Sequence, residues 1–371
     1  MWRVPRKSRF CANPELWPMS FSPSANRRLP LIVLVATLLL GGCSLLAKNP
    51  PLPVPKDAPL AVPADSASDL SSIGSADDLI GQDASSDLLL PLEIIRGGPQ
   101  GNAFTGVRYA QFIRPVAVAA RGNDVFVIDA GQELLFKYNR IMRSLDVVMS
   151  LRGVLVGEAS DIYVARDLSF YIADPMGSRV LQFDRHGRVI RTYSNAMNLA
   201  RPVAVSVEES SGRVLVADGV YDHILVFDRF GNLVGSGGGR GSDPGQFLNI
   251  TAMASGVDGF YVTARFGQRI QVLAEDGRYR YSMPPGDVTF PTAIAVDGEG
   301  RVYVSDFIDN TIKIYGEGRL MGRVGMTGSG LGEFRHITDL WFDEGFLYVA
   351  DSLNGRVQVL RVVSGAVGGK N

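Results

Sequence analysis

The chain has 371 residues and a formal net charge of −1, with 37 Lys and Arg against 38 Asp and Glu. A nucleic-acid binder carries a basic excess, and none is present here. Its two cysteines, Cys11 and Cys43, both precede the region that folds, which excludes a disulfide scaffold and a thiolate metal cluster in the body of the protein. Three histidines in all speak against a histidine-built metal centre, and 42 glycines with 20 prolines make the chain rich in turns.

Leu29 to Leu40 form a 12-residue stretch that is apolar apart from Pro30 and Thr37, with Arg27 and Arg28 before it. At about 1.5 Å per residue this is too short to cross roughly 30 Å of hydrocarbon. A basic start, a short apolar core and a small-residue end read as a secretory signal. Met19 makes a more usual start for it than Met1. The ending Leu40-Gly41-Gly42-Cys43 resembles the lipobox of bacterial lipoproteins. That resemblance implies cleavage before Cys43, acylation of its thiol and new amine, and stable anchoring by several acyl chains. In that family an Asp after the Cys marks inner-membrane retention; Ser44 stands there, so the resemblance implies the outer membrane, and the periplasmic side is expected.

Residues 1–42 are therefore assigned to the signal and 43–91 to a disordered tether. Six prolines between Pro50 and Pro63 favour extended polyproline geometry. The run from Asp65 through Asp69, Asp77, Asp78 and Asp83 to Asp87 has too few large apolar residues to fold alone.

From residue 92 to 363 one unit recurs. Val127-Ile128-Asp129, Ile172-Ala173-Asp174, Val216-Ala217-Asp218, Val304-Ser305-Asp306 and Val349-Ala350-Asp351 align, and a sixth copy, Val262-Thr263-Ala264, has Ala in the Asp place. Successive anchors lie 45, 44, 46, 42 and 45 residues apart. Each ends a short β-rich run, and a second run such as Arg356-Val357-Gln358-Val359-Leu360 begins five residues later. Pro115, Pro202 and Pro291 open apolar runs before three of the anchors, while Ile250 and Ile337 occupy the Pro place in the fourth and sixth copies. Four short strands per copy in six copies predict an all-β, six-bladed β-propeller.

The composite pattern resembles the NHL-repeat family over about residues 92–363. The last copy lacks a fourth strand. Leu92 to Gly97, which has no other partner, is expected to supply it and so close the ring without open edges. Residues 364–371 are read as a flexible tail.

The anchor aspartates repeat once per blade and are expected to be structural, accepting hydrogen bonds from turn amides. Asp174 with Arg179 and Asp351 with Arg356 are expected to pair across their turns. Segments Gly235 to Phe247 and Gly325 to Phe334 read as blade connections, since no helix N-terminus follows to form a phosphate cradle. Six-bladed relatives of the gluconolactonase and paraoxonase type hold a divalent cation in the central tunnel. Glu158, Asp161, Asn249 and Asp339 are the equivalent oxygen donors here, a candidate set for Ca²⁺ or a similar ion.

Strand direction sorts the loops onto two faces. One face carries short turns such as Asp343-Glu344-Gly345 and reads as solvated and bland. The other carries Arg114, Glu158, Arg201, Asn249 and His336 near the axis, ringed by Met176, Tyr221, Phe266, Phe307, Ile308 and Leu353. A polar centre with an apolar surround suits a protein interface. The expected function is a non-catalytic binding or scaffolding module of the cell envelope. It would be monomeric, bound to the membrane by its lipid, and without cofactor. A metal-dependent lactonase or hydrolase working in the tunnel and a glycan-binding module are the alternatives, because the fold does not decide among them.

Overall fold

A computed structural model describes residues 88–102, 106–267, 269–284 and 288–363. Cys43, the signal, the tail and nearly all of the tether lie outside them. The described residues fall in one compact unit, which begins at Gly74.

The ring has six blades of four antiparallel strands. Strands β4–β7 (Pro115–Arg121, Asp124–Asp129, Leu134–Asn139, Ser144–Ser150) form the first, and β8–β11 (Asp161–Val164, Phe170–Asp174, Arg179–Phe183, Val189–Ser194) the second. The third is β12–β15 (Pro202–Glu208, Arg213–Asp218, His223–Phe227, Leu233–Gly238) and the fourth β16–β19 (Leu248–Gly256, Gly259–Phe266, Ile270–Leu273, Tyr279–Ser282). The fifth is β20–β23 (Pro291–Val296, Val302–Asp306, Thr311–Gly316, Arg319–Val324). In the sixth, β24 (Ile337–Asp343), β25 (Phe346–Asp351) and β26 (Arg356–Val362) are completed by β1 (Leu89–Ile95) from the N-terminal end. The expected closure is therefore observed: Leu89 pairs with Val362 and Ile95 with Val357. The strand starts three residues before the expected boundary, so Leu89, Leu90 and Pro91 belong to the ring and not to the tether.

Blades pack face to face through alternating apolar residues, and each of the six interfaces holds its own hydrophobic cluster. Leu89 plugs the interface of blades five and six, and Ile95 that of blades six and one. One strand thus serves two interfaces: strict alternation would put residues six apart on one face, and the register shift between Pro91 and Glu93 changes the parity between them.

A two-stranded hairpin, β2 (Gly97–Asn102) with β3 (Gly106–Gln111), lies between the closing strand and the first blade. It is outside the repeat period, so repeat alignment did not reveal it. Gly235 to Gly238 also differ from expectation: they lie in β15, and the connection to the fourth blade is the shorter stretch from Gly239 to Phe247.

The anchor aspartates are buried and tie each blade's entry to its own turn. Both oxygens of Asp218 are used, accepting from the amides of Ala200 and Arg201 at the entry and of Val220 and Tyr221 in the turn, all within 2.8 Å. Asp174 meets Arg179 Nε at 3.0 Å and Asp351 meets Arg356 Nε at 2.7 Å, the two pairs expected. The fourth blade has Ala264 in this place, and its entry carries Ile250 where Pro would bring no N–H. The exposed amide is taken by the preceding blade: Asp222 Oδ1 accepts from Ile250 N at 3.0 Å.

Candidate functional site

The innermost strand of each blade leaves one edge without a neighbour in its own sheet, so its amides need partners from elsewhere. Two dipeptides provide them across blade boundaries. Asp161 Oδ2 accepts from Val205 N of the third blade at 2.7 Å, and Ser160 donates to Pro202 O at 3.1 Å. Asp339 Oδ2 accepts from Val118 N of the first blade at 2.7 Å, and Thr338 donates to Pro115 O at 3.4 Å. The other oxygen of each aspartate accepts from the next amide in its own strand.

The two carboxyls line the channel, each partly exposed to it and held by backbone amides. Burial raises Asp161 to about 7. Burial, with the charge of Asp161 added, raises Asp339 well above the ordinary carboxylate range. A proton bound on either carboxyl relieves the repulsion.

Of the four candidate metal donors, Asp161 and Asp339 are therefore brought within reach of each other's charge, but each is engaged by backbone amides. Glu158 forms a bidentate pair with Arg114, 3.1 Å between Oε2 and Nη1. Asn249, the second residue of β16, has a left-handed backbone, φ 66°. Neither Glu158 nor Asn249 lines the channel cavity. Among the described residues no three His, Cys, Asp or Glu side chains gather as a metal cluster.

The channel holds a cavity of about 1180 Å³, whose lining runs from Asp161, Thr292 and Asp339 to Glu209, Asp258 and Asp343. It reaches the face expected to be bland, which instead forms a charged mouth. There Arg121 bonds Glu209 at 3.1 Å and Asp343 at 3.3 Å, and lies 5.1 Å from the centre of the Trp341 ring. Tyr163 donates to Glu209 at 3.0 Å, and the Trp341 indole donates to Ala120 O at 2.9 Å. This network joins four blades. Its sequence signal was slight: Arg121 and Asp343 each end an inner strand and Glu209 follows one, charged positions outside the apolar alternation.

The other face carries the expected ring. Met176, Tyr221, Phe266, Phe307 and Leu353 stand exposed in the turns between second and third strands of five successive blades, and Ile308 follows Phe307. The structure adds Ile113, Val156 and Met197 from the blade entries, all exposed. Two of these side chains, Met176 and Ile113, lie against backbone. A Cβ on Gly157 would come within 2.5 Å of Met176 Sδ, and one on Gly131 within 2.7 Å of Ile113 Cγ2, so glycine is what lets both rest on the backbone. Phe307 stacks edgewise on His336, ring centres 5.1 Å apart, and tilts against Phe290 at 5.5 Å. Burial pushes the His336 imidazole below its ordinary range, which makes it an uncharged ring at neutral pH.

Near the axis, Arg114 and Arg201 differ in their partners. Arg114 is neutralised by Glu158, whose hydrogen bond raises its pKa further. Arg201 spends one donor on Gly219 O at 2.7 Å and has no carboxylate partner among the described residues.

The chain matches no family model and no curated protein sequence. Solved structures show the likeness of fold. A structural genomics protein of unknown function from Bacteroides thetaiotaomicron is 16% identical, with a TM-score of 0.53, covering 74% of this chain and 76% of that one. Virginiamycin B lyase from Staphylococcus aureus is 11% identical with a TM-score of 0.51, covering 68% of this chain and 96% of that one. A streptogramin B lyase structure is 11% identical with a TM-score of 0.52, covering 68% and 94%.

Proposed function

We propose that this β-propeller is an NHL-type lipoprotein, held in the outer membrane by acylated Cys43, whose ring is a non-catalytic protein-binding module of the cell envelope. The supporting observation for binding is the apolar face. Every blade contributes an exposed large apolar side chain to it, and a fold of this kind needs none of them at loop tips, where Gly, Asn and Asp suffice. Support for the anchor comes from Leu40-Gly41-Gly42-Cys43 alone.

The double variant Phe266→Ala with Phe307→Ala should keep its melting curve within about 0.5 kcal/mol of stability and lose in-cell cross-links to an envelope protein, a binding loss of about 1–4 kcal/mol. Arg185 and Arg229, exposed on the opposite face, are the control positions. Loss of cross-links in the control and retention in the double variant would reverse the face. Cys43→Ser should leave unprocessed precursor; mature protein of unchanged mobility that still partitions with membranes would refute the anchor.

A second reading, a divalent-metal-dependent lactonase or hydrolase, is favoured by one observation, the Asp161 and Asp339 pair in the channel. Calorimetric Ca²⁺ binding at 1:1, lost in Asp161→Ala, would support it over the scaffold.

A further inference from the structure

On the apolar face Asp243 stands exposed without an ion pair among the described residues, and other acidic groups are engaged. The anchor aspartates accept from turn amides, Glu158 faces Arg114, Glu133 faces Arg152 at 2.7 Å, and Asp309 faces Lys313. The basic groups are in surplus. Arg96, Arg201, Arg240 and Arg335 are exposed there, and none has a carboxylate within ion-pair distance among the described residues. Arg269 donates only to the carbonyls of Arg265 and Thr289, and Arg265 lies over the Phe290 ring at 4.0 Å. Apolar area is thus interleaved with unneutralised guanidinium groups, which carry forked donors suited to carboxylates.

Resting on the protein-binding reading above, we infer that the partner presents an acidic segment with bulky apolar side chains, its carboxylates meeting Arg201 and Arg335 and its apolar groups covering Phe266 and Phe307. An anionic lipid surface offers the same charge, but the packing of the face argues against it. Insertion into a bilayer requires apolar side chains that project. Met176 and Ile113 instead lie against glycine backbone, and Phe307 is wedged between His336 and Phe290. A surface that comes down onto the face can reach them, and a protein segment does so.

The test pans a random peptide display library on immobilised residues 74–371, the compact unit that holds the whole ring. Enriched peptides should be net acidic with Leu, Ile, Phe or Trp. Their binding should fall roughly tenfold in Arg201→Glu with Arg335→Glu, and comparably in Phe266→Ala with Phe307→Ala, while both variants keep the parent melting curve. It should also weaken as salt rises. Enriched peptides that are neutral or basic, lost with the aromatic pair but indifferent to charge reversal, would overturn the acidic partner and leave the protein-binding face standing. Enrichment indifferent to both pairs would overturn both. Flotation with phosphatidylglycerol vesicles, abolished by charge reversal and without any peptide enrichment, would assign the face to lipid and overturn the inference.

Discussion

Asp161 and Asp339 show how one residue type answers two demands. Each caps an amide on the open inner edge of the next blade, and each lies where a full charge is poorly solvated. The folded chain therefore holds a proton that the unfolded chain has released once pH passes the ordinary carboxylate range. That stabilisation is complete below about pH 4 and is lost as pH rises through about 7, the value to which Asp161 is raised. The melting temperature should be higher at pH 5 than at pH 8, and Asp161→Asn should flatten the slope while keeping an acceptor for Val205 N. A scan that rises with pH over this window would contradict the proton held by these carboxyls. Asp161→Ala also removes the acceptor and should cost about 1–3 kcal/mol at pH 5.

Ion pairs on this ring differ by burial more than by distance. Arg356 and Asp351 are both fully buried, and Arg356 also donates to the carbonyls of Ser329, Gly330 and Glu333. Arg356→Ala would strand a buried carboxylate and should lower unfolding free energy by about 3–5 kcal/mol in denaturant titration. Arg114→Ala breaks a pair whose side chains are 39% and 61% exposed and should change stability by no more than about 1 kcal/mol. Equal losses would mean that burial does not govern the anchors.

At the scale of elements, closure is the step that makes a ring of six sheets from a linear repeat. Removing residues 44–87 leaves β1 whole, and stability should hardly change. Removing residues through Arg96 takes Leu89 and Ile95 out of two interfaces and bares β26. The loss should be at least about 3 kcal/mol, with aggregation visible by light scattering. Two truncations of the same stability would show that the ring stands without its N-terminal strand. The β2–β3 hairpin follows at once; Gly98 lies against Leu145 of the first blade and Ala110 against the core between blades six and one, while Val107 and Tyr109 are exposed.

Across the whole molecule the two faces have opposite chemistry. One gathers apolar side chains and unpaired arginines. The other gathers the wide mouth of the channel, where Arg121, Glu209 and Asp343 neutralise each other. The chain ends of the ring also belong to the second face: Leu88 O accepts from Val363 N beside the start of β1. The N-terminal end of the described ring, Leu88, therefore lies at the face opposite the one proposed to bind.

Periodicity carried the architecture. A 42- to 46-residue spacing, a strand-ending aspartate and a missing last strand were enough to state six blades and their closure, because these features act within one blade or between chain neighbours. The exposed tips were equally readable, since strand direction alone sorts turns onto faces. Contacts that cross the ring were not. Arg121 and Asp343 are 222 residues apart, and no local pattern links them. Glu158 could be placed near the axis from its position in the repeat, but only the folded ring decided that it faces Arg114 rather than Asp161. The aspartate pair itself depends on where inner strands point once six sheets are packed round an axis. Alternation and repeat length determine what each blade buries, whereas ring geometry determines which polar groups meet in the channel and which arginines are left without a partner.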